Sequence, residues 1–188
     1  MITTVDRVIT ILQEISNKVS TRYEKMALIR MSSLLTSLKK CYYCNNESSS
    51  NIIAFLLKLC LEIMFQLKYF KDKYDKDLED NFIRELSKRS RKGSSFSIRM
   101  LTESKGIPGK YKKDFLKIYL KICSYVHPSY EFLLSEQQKI NVDNLLLEFL
   151  DVLLYVLLTC YGPEGRTCDI CREHGLKHCL RKCSRAIS

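Results

Sequence analysis

The stretch KKDFLKIYLKICSYVHPSY, residues 112–130, is the most informative part of the chain for predicting its fold. Nine of the twelve residues from Phe115 to Val126 are apolar, which predicts a helix buried on most of its sides. Pro128 lacks an amide donor and disfavours the helical conformation of the residue before it, so we expect the helix to end at His127. The polar residues of this helix fall within one arc of about 120° at helical spacing, and they are Lys113, Lys117, Lys121, Ser124 and His127.

Two sequences, GSSFSIRML and LKIYLKICSYVHPSYEFLL, resemble the His-Pro-Ser helix of HEPN-type all-α domains over residues 96–134. That family includes archaeal proteins, abortive-infection-related proteins and ribonucleases. In the ribonuclease members an Arg shortly before the His completes an active site across a dimer, and here Lys121 occupies that window. The resemblance implies a homodimer in which His127 is the general base or acid, Lys121 contacts phosphate and Ser124 orients the site. The alternative is a core helix whose lysines reach out to water.

The composition predicts an all-α protein. The chain has 188 residues, of which 46% are hydrophobic, with only six Gly and three Pro. This is enough for one packed domain, and strand-like alternation is scarce. We expect a bundle of four to five helices over residues 1–160, followed by a small Cys/His-rich tail over residues 161–188. Six helical segments are predicted, of which four or five would form the core bundle: residues 4–39 (with one possible break), 51–71, 81–90, 96–104, 112–127 and 144–160.

The formal net charge of +10 favours an anionic partner. Much of it is concentrated in residues 84–113, where ten Lys or Arg face only two Glu. This pattern predicts a patch that contacts phosphates, and its expected nucleic-acid-binding residues are Lys88, Arg89, Arg91, Lys92, Lys110, Lys113 and Lys117.

A membrane location is not predicted. The two most apolar stretches, residues 52–70 and 145–160, each contain charged residues, so buried helices are expected instead of membrane spans. Asp6, Arg7 and Glu14 interrupt the beginning of the chain where a secretory signal would be apolar. We therefore expect a soluble, cytoplasmic protein.

The tail has the spacing of a zinc site. Two thiolates three positions apart and two more four positions apart can grip one metal, and zinc would supply folding energy to a tail with few apolar side chains. The leading ligand set is Cys168, Cys171, Cys179 and Cys183, with His174 and His178 as alternatives. A tail of reduced thiols and a disulfide-bonded tail are the other interpretations.

Cys41 and Cys44 form a second pair with knuckle spacing. They could complete a site with the tail, act as a redox pair or be two ordinary cysteines, because a single CxxC is weak evidence.

These patterns favour a non-enzymatic protein that binds RNA or DNA through its basic patch and its zinc-stabilised basic tail. A HEPN-type ribonuclease that uses His127 is one alternative. An interaction protein that docks an acidic partner is the other. No phosphate-binding glycine loop and no nucleophile elbow is present in the sequence.

Overall fold

A computed structural model describes residues 1–44, 47–73, 96–126, 140–162 and 165–187, and within these ranges the chain forms helices and no strand. The predicted all-α bundle with a cysteine-rich tail is confirmed. The helices are α1 Ile2–Lys18, α2 Arg22–Cys44, α3 Glu47–Lys73, α4 Phe96–Glu103, α5 Gly109–Val126, α6 Val142–Tyr161, α7 Gly165–Glu173 and α8 Lys177–Ile187.

The helix count exceeds the predicted four to five because the first predicted helix is divided and the tail is itself helical. The first division follows Lys18, where Val19 adopts an extended conformation. Thr21 begins the next helix: its Oγ1 accepts a hydrogen bond from the Glu24 amide at 3.3 Å and donates one to the Glu24 carboxylate at 2.7 Å. A Thr followed three residues later by Glu is a sequence signature of a helix start.

Helix α3 is central, as its nearly uniform apolar pattern predicts. It packs against α2, α4, α5 and α6. Leu57, Leu61 and Phe65 on α3 are each no more than 1% exposed, and they belong to one apolar core that extends through the other helices. The polar turn predicted at residues 45–50 is shorter than expected, because α3 already begins at Glu47.

Helix α5 is not the nearly buried helix that residues 112–130 predicted. Only Phe115, Tyr119 and Ile122 are buried, and Leu120 is 49% exposed. The most buried helix is α6, where every residue from Phe149 to Leu158 is buried. The reason is its position, since α6 is covered by α3 and α5 and, in addition, by the tail helices α7 and α8.

Both ends of α6 have a specific cap. The Asn141 side chain accepts a hydrogen bond from the Asn144 amide at 3.0 Å. At the other end Gly162 adopts φ 84°, which favours glycine, and its amide donates to the Leu158 carbonyl.

The tail folds as two short helices against the bundle. Gly175, with φ 61°, turns the chain between α7 and α8, and Ile170 and Leu176 are buried in the same apolar core as the bundle residues. The tail thus buries more apolar surface than its composition suggested. The predicted division into residues 1–160 and 161–188 stays a prediction.

Within the described part of the chain, two helices are long and apolar enough to cross a membrane by length and composition alone. They are Ser49–Lys73 and Val142–Tyr161, and 50% and 67% of their most apolar windows are buried inside the fold. Burial of this kind is found in core helices of soluble proteins. The cytoplasmic location stays a prediction.

Candidate metal centre and basic surface

The tail cysteines of the predicted ligand set meet between α7 and α8. Cys171 and Cys179 are joined by a disulfide with a Cα–Cα distance of 5.9 Å. The sulfur of Cys183 completes a group of three whose sulfur atoms all lie within 4.8 Å of one another. All three side chains are buried. The tail therefore contains a buried cysteine group that could hold a metal ion once the Cys171–Cys179 disulfide is reduced.

Cys168, the fourth predicted ligand, lies beside this group. It is 4% exposed and forms a side-chain hydrogen bond with Cys183. Burial, together with the hydrogen bond and the charge interaction with Cys168, raises the pKa of the Cys183 thiol to about 12. The arrangement follows from spacing, because residues three or four positions apart on a helix share a face, and the two short helices turn these faces towards each other.

The two alternative histidine ligands have other partners. Nε2 of His174 lies 2.7 Å from the Thr4 hydroxyl, which ties the turn after α7 to α1. His178 is 6% exposed and lies between two carboxylates. Neither histidine belongs to the cysteine group.

Cys41 and Cys44 lie in the last turn of α2. The Cys44 thiol is exposed and donates to the Lys40 carbonyl at 3.5 Å. Among the described residues, the cysteine group that could bind a metal does not include this pair.

The buried carboxylate of Asp151 fixes the start of α8. It accepts hydrogen bonds from the backbone amides of His178 and Cys179, both at 3.0 Å, and lies 2.7 Å from Nδ1 of His178. A carboxylate is favoured there because the amides and the dipole at a helix N-terminus attract negative charge. Sequence reasoning missed this role. The available signal was Asp151, the single charged residue in the apolar run of residues 149–158.

A second carboxylate links the same histidine to α5. Nε2 of His178 lies 3.1 Å from Oδ2 of Asp114, and the imidazole packs edge-on against the rings of Tyr111 and Phe115. Burial of the imidazole opposes its charged form, but the hydrogen bonds to Asp151 and Asp114 outweigh it and raise the pKa of His178. The hydrogen bond to His178 in turn lowers the pKa of Asp114.

The basic residues of α5 lie beside those of α8, on the side where His178 contacts Asp114. Lys110, Lys113 and Lys117 are exposed at helical spacing on α5. Lys117 and Lys177 both lie close enough to Asp114 to help lower its pKa. Nη1 of Arg181 on α8 donates to the Tyr111 hydroxyl of α5 at 3.4 Å. We call the exposed cations of this region the α5–α8 basic face, and they are Lys110, Lys113, Lys117, Lys177 and Arg181.

The remaining predicted nucleic-acid contacts, Lys88, Arg89, Arg91 and Lys92, lie outside the described residues, as does the predicted helix at 81–90. Their role stays a prediction.

The residues of the predicted catalytic set are only partly described. Nζ of Lys121 is paired with the Glu148 carboxylate at 2.8 and 2.9 Å. The exposed Ser124 hydroxyl donates to the Lys121 carbonyl at 2.7 Å. His127 lies outside the described residues. The pairing with Glu148 neutralises the cation that the resemblance assigned to phosphate.

Comparisons with protein-family models, with curated proteins and with solved structures find no significant match to this chain.

Proposed function

We propose that this protein binds nucleic acid through backbone phosphates, and that the α5–α8 basic face is part of the binding surface. The observation that carries the proposal is the exposed lysine row of α5, Lys110, Lys113 and Lys117, beside the cations of α8. Two basic elements that are far apart in the sequence adjoin here. Phosphates interact favourably with several such cations at once, and the contacts need no base recognition.

Charge distribution within this face supports a polyanion as the partner. Asp114 lies among these cations and attracts Lys117 and Lys177, but it is a single carboxylate that also pairs with His178, so the five cations leave the face with a net positive charge. Lys121, further along the same helix, is different because Glu148 already neutralises it. The expected footprint therefore runs from Lys110 to Lys117 and across to α8.

A zinc ion in the tail is the second part of the proposal. In the reduced chain, four thiolates from Cys168, Cys171, Cys179 and Cys183 form a tetrahedral site with Zn–S distances of about 2.3 Å. The buried cysteine group supports this assignment, since three of its sulfur atoms are already clustered and the fourth is hydrogen-bonded to one of them. Zinc would hold α7 against α8 and thereby keep Lys177 and Arg181 beside α5.

The ribonuclease alternative, with His127 acting across a dimer, stays a proposal that rests on the resemblance to HEPN domains. The docking of an acidic protein partner is an outcome of the test below and not a separate proposal.

The test is fluorescence anisotropy with a labelled single-stranded RNA and the matching DNA, measured over a range of salt concentrations with zinc-loaded protein. Substituting Lys110, Lys113 and Lys117 together by Gln should weaken binding. It should also reduce the salt slope by about 2 units, since each lost contact to a single-stranded phosphate removes about 0.7.

The matched control removes the same charge elsewhere. Lys25, Arg30 and Lys40 are exposed on α2, and their triple Gln variant should retain the wild-type salt slope. Equal slopes for the two triple variants would contradict the proposal. Tight binding of a polyglutamate peptide with no binding of RNA or DNA would also contradict it and would favour an acidic protein partner.

A further inference from the structure

We infer that Cys168 and Cys183 form a second disulfide beside the Cys171–Cys179 bond, so that the tail carries either one metal ion or two disulfides. The metal half of this inference rests on the zinc site proposed above. The disulfide half does not, because it depends only on the positions of the four cysteines.

The pairing follows from the two short helices. Cys168 and Cys171 are three positions apart on α7, and Cys179 and Cys183 are four positions apart on α8. The Cys171–Cys179 bond joins the two positions nearest the Gly175 turn. Cys168 and Cys183 are then the next facing positions outward, one helical turn further along each helix. Both side chains are buried in the same apolar core, and they lie within interaction range of each other.

Burial restricts the thiols to each other. Cys168 and Cys183 are 4% and 3% exposed, which excludes a disulfide to a second folded protein molecule, and a small oxidant reaches them when the short tail helices open locally. Other described cysteines, such as the buried Cys60 on α3 and the exposed Cys44 on α2, are not part of this group.

The chemistry balances with a low-molecular-weight disulfide as the oxidant. One thiolate attacks the oxidant and releases one reduced thiol, and the second cysteine then displaces the other. Each protein disulfide therefore forms with the loss of two protons and two electrons, which reduce one oxidant molecule to two thiols. A disulfide sulfur is not a thiolate ligand, so each bond that forms removes two ligands and the metal ion leaves.

Both forms hold α7 against α8. Oxidation would therefore replace the zinc cross-link of the tail by two disulfides. It would not release α8 from α6, because the hydrogen bonds of Asp151 to the start of α8 involve no sulfur. Under oxidising conditions, in which a thiolate site loses its metal ion, the two disulfides would keep the tail folded.

The experiment uses the full chain, reduced and loaded with zinc, then titrated with oxidised glutathione. Zinc release is followed with a chromophoric chelator, and the remaining thiols are alkylated under denaturing conditions before peptide mapping. We expect loss of one zinc ion per chain and linkage of the peptide containing Cys168 and Cys171 to both the Cys179 and the Cys183 peptides.

Variants separate the bonds. With Cys171 and Cys179 replaced by Ser, the Cys168 peptide should still become linked to the Cys183 peptide. The matched control, Cys168→Ser with Cys183→Ser, should retain only the Cys171–Cys179 bond. If the wild-type protein oxidises with Cys168 and Cys183 fully alkylated, the inference is wrong, and this reading does not depend on how well the variants fold.

The zinc proposal is read out independently. Reduced protein that binds no zinc but forms both disulfides would refute the zinc site and leave the second disulfide standing. Zinc that stays bound while both disulfides form would overturn the exclusivity of the two forms.

Discussion

Two helix interfaces stabilise the protein in different ways. We call the α2–α3 interface the apolar seam and the α6–α8 interface the polar seam. In the first, both helices bury rows of apolar side chains, among them Leu35 on α2 and Leu57 on α3. In the second, the carboxylate of Asp151 on α6 binds two amides and an imidazole of α8. Apolar seams tolerate changes that preserve volume, whereas a polar seam depends on individual atoms. The tail therefore has a definite position on the bundle despite its small size.

The largest expected effect comes from the apolar core that includes the α2–α3 seam. Phe65→Ala on α3 removes a ring that is 1% exposed and should lower the free energy of unfolding by about 3–5 kcal/mol. The matched control is Phe55→Ala on the same helix, where the ring is 44% exposed and little stability should be lost. Urea denaturation measures both. Similar losses for the two variants would mean that α3 is not placed in the core as described.

The polar seam should give a smaller and more local effect. Asp151→Ala leaves the start of α8 without its acceptor and should cost about 2–3 kcal/mol, since hydrogen bonds to charged groups carry about 1.5–3 kcal/mol each and water replaces part of the loss. Hydrogen exchange should accelerate in residues 165–187 before it does so in α2 and α3. Asp169→Ala, at an exposed carboxylate of α7, is the control and should leave exchange unchanged. Uniform acceleration throughout the chain would contradict the local role.

Glu24 is a buried carboxylate on α2, and its hydrogen bonds should make the stability of the bundle depend on pH. Burial would raise the pKa of Glu24, but hydrogen bonds from Lys71, Thr21 and Tyr161 outweigh it and lower the pKa. Its contribution is then complete above the unfolded pKa of about 4.3 and is lost as the pH falls through the lower folded value. Glu24→Gln should cost about 1–2 kcal/mol at neutral pH and flatten the acid limb of the stability curve. Melting temperatures from pH 7 down to pH 3 test this, and an unchanged acid limb would refute it.

The smallest effect on stability is expected at the predicted catalytic set. Lys121→Ala breaks an exposed ion pair with Glu148 and should change stability by less than about 1 kcal/mol.

A separate prediction concerns catalysis by His127. If the HEPN-type ribonuclease proposal is correct, His127→Ala should abolish RNA cleavage while the melting temperature and the RNA affinity stay near wild type. A lowered melting temperature with no cleavage in either protein would assign His127 a structural role.

Periodicity predicted the bundle well because apolar burial leaves a regular trace in the sequence. The long apolar run of residues 145–160 led directly to α6. The break after Lys18 was placed only loosely, although Thr21 and Glu24 carry a helix-start signature. The burial of α5 was overestimated because counting apolar residues does not reveal which helix lies between the others.

The tail cysteines were predicted from their spacing, which is a local property. The partners of His178 were not, because Asp151 and Asp114 lie on helices that are distant in sequence and become neighbours only through the fold. For the same reason the two basic regions appeared separate in the sequence, whereas Lys177 and Arg181 adjoin α5 in the folded chain.

The central claim is that α5 and α8 present one basic face. The most direct measurement is the salt dependence of single-stranded RNA binding by the Lys177→Gln, Arg181→Gln double variant. We expect a salt slope lower by about 1 unit than that of the wild type. The control double variant, Lys25→Gln with Arg30→Gln, should keep the wild-type salt slope. A slope equal to that of the wild type, in a protein whose tail keeps its wild-type hydrogen exchange, would contradict the claim that α8 contributes to the binding surface.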